Sequence, residues 1–201
     1  MITLQKLFIA TAKQYSKKTA IVDRNLRKDI SYQRALIGAL LLARRFQHFP
    51  DGYLGIMIPN SSGSILSIIG SLFAGKVPVM INYSTGAAEN SKFAQQKCNF
   101  HTIITSRALL EKLDCPEIPG MIFIEDLINN ISTFEKVLAA VKSILPTFLL
   151  NRLVHQAELD DSAVILFTSG SEKAPKAVNL SHRNIVANVT SAEACFQFNH
   201  N

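Results

Sequence analysis

Strict alternation of two kinds of segment constrains this chain more than any other feature. From Tyr53 onward the order is "YLGIMIP", "SILSIIGSLFAG", "VPVMIN", "AAENSKFAQQKC", "HTIITS", "ALLEKL" and "MIFIED". The first, third, fifth and seventh are short apolar runs of strand length, and the segments between them have helical character. Strands joined through helices pair in parallel, because the crossover returns the chain to the same end of the sheet. Near-continuous apolar strands also need cover on both faces. The expected fold class is therefore α/β: a mainly parallel sheet with helices on both faces and right-handed crossovers.

The flanking segments fit the same plan. "MITLQKLFIATAKQYSKK" carries Lys6 inside its apolar stretch and has no small-residue cleavage site, so it reads as an amphipathic helix and not a signal peptide. "AIVD" and "DISY", Ala20–Asp23 and Asp29–Tyr32, flank a polar basic turn and read as a hairpin. "QRALIGALLLARRF" has helical spacing and ends near Pro50 and Gly52. Asn60, Ser61 and Ser62 can cap the next helix, which closes at Gly75.

Thr133–Gln156 breaks the rhythm. Phe134, Val137, Leu138, Val141, Ile144, Leu145, Phe148 and Leu149 line one side, and Pro146 should kink or split the helix. The expected use of that side is packing against the sheet through Phe134, Leu138, Val141 and Leu145. Lys136, Lys142 and Arg152 leave a rival open, a peripheral membrane contact through 133–156. The chain thus divides into an α/β portion at 1–132, an amphipathic helical segment at 133–156, and a strand–loop–strand–helix unit at 157–201.

Composition narrows the function classes. With 201 residues, 48% hydrophobic and 18% charged, the chain can bury a substantial core. No apolar run approaches the roughly 20 residues that span a bilayer. Cys98, Cys115 and Cys195 are three in number and far apart, so they offer neither a disulfide framework nor metal-ligand spacing. That usage favours a reducing cytoplasm, with membrane association left open. The net charge of +6 comes from scattered basic residues without interleaved aromatics, which argues against nucleic acid and for an anionic small substrate or a membrane surface.

The densest chemistry lies in "LFTSGSEKAPKAVNLSHRN", Leu166–Asn184. Ala163–Phe167 reads as a buried strand and Ala177–Leu180 as a second one. Between them Thr168, Ser169 and Ser171 offer hydroxyls, Gly170 allows torsions that other residues resist, and Lys173 and Lys176 bring positive charge. Exposed amides and lysines in such a loop suit a polyphosphate. A polar hairpin turn accounts for the same residues. The loop is not a Walker A motif, because Lys176 lies between Pro175 and Ala177, without the Gly before it and the Ser or Thr after it.

"FTSGSEKAPKAV" resembles the phosphate-loop signature of the acyl-adenylate-forming enzymes: acyl-CoA synthetases, luciferases and peptide-synthetase adenylation domains. Thr168, Ser169, Gly170, Ser171, Pro175 and Lys176 match its pattern. The segments "AIVD…ISY", "YLGIMIPNS", "LFAGKVPVMINYS" and "HTIITS" stand in the order familiar from that family, so the resemblance runs through the whole chain. "GSEKAPKAV" with "GKVPVMINYS" is most similar to the acyl–acyl-carrier-protein synthetases, the branch that includes 2-acylglycerophosphoethanolamine acyltransferases. Lys173 stands where many relatives have glycine, and Ala177 replaces a frequent glycine, which implies a stiffer and more charged loop.

The resemblance implies an ATP-dependent ligase. A fatty acid or other carboxylate attacks the α-phosphate, giving acyl-adenylate and pyrophosphate. A thiol, on acyl carrier protein or CoA, then takes the acyl group. Thr168, Ser169, Gly170, Ser171, Glu172, Lys173 and Lys176 are the implied ATP-phosphate contacts. Family members run several hundred residues further, through the ribose-binding and catalytic-lysine segments and the glutamate that serves Mg²⁺. The chain is therefore expected to be the N-terminal part of such an enzyme, holding no catalytic or metal residue of its own and inactive alone. A non-catalytic α/β module and a degenerate nucleotide binder are the alternatives.

Overall fold

A computed structural model of the chain describes residues 1–24, 27–168 and 175–196. The chain opens with helix α1, Leu4–Gln14, followed by the two-stranded antiparallel hairpin of β1, Thr19–Asp23, and β2, Lys28–Ser31. Helix α2, Tyr32–Phe46, starts where the Ser31 hydroxyl accepts a hydrogen bond from the Arg34 N–H. Then come β3, Tyr53–Met57; α3, Ser62–Phe73; β4, Val77–Met80; α4, Ala87–Cys98; and β5, Ile103–Thr105. Ser61 caps α3 as its sequence suggests, and Gly75, at φ 76°, closes it in the left-handed region.

The remaining elements are α5, Arg107–Leu113; β6, Met121–Phe123; α6, Ile124–Asn129; α7, Thr133–Ile144; α8, Thr147–Leu153; β7, Ser162–Phe167; β8, Ala177–Ser181; and α9, His182–Phe196. One six-stranded sheet has the order β6-β5-β3-β4-β7-β8. All its pairings are parallel except β7 with β8. The fold class is thus α/β with a mostly parallel sheet.

Alternating residues along each strand feed opposite faces. Met57, Val79 and Ile103 join Ala94, Leu109 and Leu110 from α4 and α5 in one core. Leu54, Ile56 and Ile104 join Leu42 and Phe46 from α2 in the other, with Leu66 of α3 packed against it. A third cluster lies outside that second layer. There Ile9 and Ala12 of α1, Leu36 and Ala39 of α2, Phe73 of α3 and Leu150 of α8 pack helix on helix.

Two expectations are corrected. "MIFIED" is strand only through Phe123, and Ile124 begins α6. Glu125 and Asp126 occupy that helix's first turn, where carboxylates are favoured, and Asp126 takes a two-pronged grip from Arg107 at 2.7 and 2.8 Å. Thr133–Gln156 does split into two helices at Pro146, but its apolar side does not meet the sheet. Helix α7 turns Ala139 and Ser143 inward and leaves Phe134 and Val141 exposed, with Leu138 and Leu145 half-buried. A capping box of Ser132 and Glu135 opens α7, and Glu135 also accepts from Arg45 of α2 at 2.9 Å.

Candidate functional site

Strands β4 and β7 lie side by side, with Val79 opposite Ile165. Their carboxyl ends open on the same edge of the parallel sheet, the edge where α/β sheets place ligands. Antiparallel β8 then returns from that edge, with Ala177 opposite Phe167 as the last strand pair. One residue further, the Thr168 N–H donates to the Lys176 carbonyl at 3.0 Å, and the Lys176 N–H donates to Thr168 Oγ1 at 3.2 Å. These two bonds close the neck of the loop. Thr168 keeps its hydroxyl proton to donate elsewhere. The Lys176 side chain is exposed and has no hydrogen-bond or ion-pair partner among the described residues.

Of the residues singled out in the loop, Thr168 and Lys176 are thus bonded to each other at its neck. Ser169, Gly170, Ser171, Glu172 and Lys173 lie outside the described residues.

Beside the neck is a cleft of about 230 Å³, lined by Ile81, Asn82, Thr85, Phe93, Phe167 and Thr168 among others. Phe93 meets Phe167 edge-on at 5.8 Å, giving the cleft an apolar wall. The polar wall comes from the segment after β4. Asn82 Oδ1 accepts from the Ser84 N–H and hydroxyl at 2.9 and 2.7 Å, and Asn90 Nδ2 donates to the carbonyls of Asn82 and Thr85 at 2.9 and 2.7 Å. Asn82, Thr85 and Asn90 were not among the sequence candidates. The run Asn82–Gly86 is rich in turn formers just after a strand, which is the signal for Asn82 and Thr85; Asn90 lies within α4 and carries no such signal.

The base of the hairpin is held firmly. The His182 N–H donates to the Asp161 carbonyl at 3.1 Å, and the Arg183 N–H donates to the Leu159 carbonyl at 2.8 Å. Arg183 also grips Asp160 through two bonds at 2.7 and 2.9 Å, which holds the Asp160 carboxyl below its ordinary range. The His182 ring is buried, and its Nδ1 accepts from the Leu4 N–H at 3.4 Å, tying α9 to the chain's start. Burial pushes its pKa down; Asp161 opposes this and His155 adds to it. These contacts pin the end of the hairpin opposite the Thr168–Lys176 neck.

Other chemistries find less support. Burial raises the Cys98 and Cys115 thiols, away from nucleophilic thiolate. Among the described residues no three His, Cys, Asp or Glu side chains gather to hold a metal ion, and no helix is long and apolar enough to cross a membrane.

A family model described as AMP-binding enzyme matches residues 8–201. The long-chain-fatty-acid–CoA ligase ACSBG2 of Xenopus laevis is 24% identical over 95% of this chain, which spans 28% of that ligase's length. Among solved structures, the nonribosomal peptide synthetase FmoA3 in its AMPPNP-bound form superposes with a TM-score of 0.74 at 18% identity, covering 98% of this chain and 19% of that one. The o-succinylbenzoate CoA synthetase MenE of Bacillus subtilis, in complex with its acyl-adenylate, superposes with a TM-score of 0.71 at 12% identity, over 98% of this chain and 47% of that one.

Proposed function

The chain belongs to the AMP-binding enzyme family, and from that premise we propose that it forms the N-terminal, phosphate-gripping part of an ATP-dependent fatty-acid ligase. The ligase joins the acyl carboxylate to AMP, releases pyrophosphate, and passes the acyl group to a thiol of acyl carrier protein or CoA. The observation that carries this reading is the closed neck between Thr168 and Lys176, set at the carboxyl edge of the parallel sheet beside the β4–β7 cleft. In the proposal Thr168, Ser169, Gly170, Ser171, Glu172, Lys173 and Lys176 face the β- and γ-phosphates.

Each described residue has a distinct task. Lys176 supplies positive charge at the hairpin's mouth, where phosphate charge gathers as the acyl–phosphate bond forms. The Thr168 hydroxyl, already oriented by the Lys176 N–H, donates toward a phosphate oxygen. Phe93 and Phe167 keep one wall of the cleft apolar, which strengthens the electrostatic contacts around it. A cleft of about 230 Å³ is smaller than a pocket for a whole drug-sized ligand, about 300–1,000 Å³, and suits one portion of a nucleotide or acyl substrate. We assign no Mg²⁺ ligand among these residues, and catalysis is assigned to no side chain of this chain.

The test is fatty-acid-dependent ATP–pyrophosphate exchange by the full-length ligase. Lys176→Ala removes a charge-assisted hydrogen bond to phosphate, and such bonds are worth about 1.5–3 kcal/mol. Exchange should fall about 10- to 150-fold with no loss of thermal stability. Exchange at the wild-type rate would leave the loop a polar turn. Offering CoA and acyl carrier protein in parallel then identifies the acceptor.

A further inference from the structure

Helix α7 is inverted relative to an ordinary surface helix. Its inward side, against α2, is Ala139 and Ser143. Its outward side carries Phe134, Val137, Val141 and Ile144, which are 71%, 57%, 51% and 65% exposed. Their spacing of three or four residues places them in one stripe. Past Pro146, α8 adds Phe148 and Leu153, also exposed, while Leu150 turns into the helical core. Single exposed apolar residues are common on proteins, but a contiguous stripe of this kind marks an interaction surface.

The charges around the stripe identify its partner. Glu135 is the only carboxylate in Thr133–Gln156, and it is occupied by Arg45 at 2.9 Å and Arg44 at 3.4 Å. Lys136, Lys142 and Arg152 remain, none paired with a carboxylate among the described residues. An exposed apolar stripe whose one carboxylate is already paired, with three cations left on the same two helices, matches a surface that is apolar below and anionic above. A second copy of this chain matches it poorly. A two-fold contact through the stripe would bring the same three cations of both copies together.

We propose that α7 and α8 dock this chain on an anionic lipid bilayer. Phe134, Val137, Val141 and Ile144 enter the boundary between headgroups and acyl chains, and Lys136, Lys142 and Arg152 meet the phosphate headgroups. Docking of this kind places an acyl-activating site at the surface that holds its acyl substrates. The surface stands apart from the phosphate loop, and lipid binding through it needs no ATP.

The test is flotation of the full-length ligase with vesicles of phosphatidylcholine and phosphatidylglycerol, against phosphatidylcholine alone. Two variants accompany it: Val137→Asp with Val141→Asp, and Lys136→Glu with Lys142→Glu. The wild type should float with the anionic vesicles at low salt and release as salt rises. The aspartate pair should weaken partitioning at least tenfold, about 1.4 kcal/mol. Each basic residue near a charged surface is worth about fivefold, so the charge-reversed pair should lose at least about 25-fold. Circular dichroism and the melting temperature should stay at wild-type values for the charge-reversed pair, which keeps the result decisive if the aspartate pair misfolds. No flotation at low salt would overturn the proposal, as would equal binding to neutral vesicles by all three proteins. A wild-type dimer that the aspartate pair makes monomeric, with no flotation, would assign the stripe to self-association instead. ATP–pyrophosphate exchange reports on none of these outcomes, so the two readings fail separately.

Discussion

Replacing Asp23 with alanine removes the carboxylate that joins the β1–β2 hairpin to the N-terminus of α3. Asp23 Oδ2 accepts from the Ser62 N–H at 2.8 Å and from the Ser62 hydroxyl at 2.7 Å, and the residue is only 3% exposed. Truncation strands both donors in a buried site. Hydrogen bonds to a charged group contribute about 1.5–3 kcal/mol each, and the favourable charge at a helix N-terminus adds about 0.3–1 kcal/mol. Two bonds sharing one oxygen are less than additive, so the loss should come to about 3–5 kcal/mol. A chain of this size shifts by about 2–4 °C per kcal/mol, which puts the fall in Tm at about 6–20 °C. Thermal melts by circular dichroism and urea titration measure it. Asp23→Asn keeps an acceptor without the charge and should lie between the two, and Ser62→Ala should cost least. An Asp23→Ala protein within about 0.5 kcal/mol of wild type, the ordinary range for surface substitutions, would refute the reasoning.

The remaining predictions rest on His182 and Gly120. Burial holds the His182 pKa below its unfolded value of about 6.5, so the unfolded chain binds the proton first on acidification. Stability should be full above that value and decline as pH falls below it until the folded pKa is passed; His182→Gln should flatten this slope in urea titrations between neutral and mildly acidic pH. Gly120 has φ 91°, and a Cβ there would overlap the backbone carbonyl oxygen of His101. Gly120→Ala should therefore cost at least about 3 kcal/mol or abolish soluble expression, and a variant melting within about 2 °C of wild type would contradict that geometry.

The strands of the parallel sheet were legible because their apolar runs are bounded by strong stop signals. Ser61 and Gly75 frame α3 where the sequence places them. The end of β6 was not legible, because "MIFIED" stays apolar through Ile124 and only the Arg107–Asp126 pair, from a neighbouring element, shows that the helix has begun. The candidate site divides in the same way. Thr168 and Lys176 announce themselves through local chemistry. Asn82, Thr85 and Asn90 become cleft residues only because β4 lies beside β7, although far from it in sequence. Strand order is a property of the whole sheet, and no local window contains it.

Helix α7 shows a different limit. Periodicity identifies which side of a helix is apolar, but not which side faces inward. Burying Phe134, Val137, Val141 and Ile144 would contribute about 6–12 kcal/mol at about 1.5–3 kcal/mol each, before the cost of ordering them. Nothing local opposes that on the same scale, since the Glu135 pairs with Arg44 and Arg45 leave both guanidiniums partly in solvent, and solvated ion pairs contribute about 1 kcal/mol or less. Steric fit is the stronger constraint. Ala139 faces α2 without a side chain beyond Cβ, and the Ser143 carbonyl receives the Lys13 ammonium of α1 at 3.0 Å. Turning the helix over would drive Val137 and Val141 into a space that Ala139 and Ser143 now fill. Two small residues thus let α7 lie close on its neighbours, and they commit its large apolar residues to the outside. The free-energy cost of holding that stripe outward, with Lys136, Lys142 and Arg152 on the same two helices, is the ground on which we propose docking to an anionic bilayer.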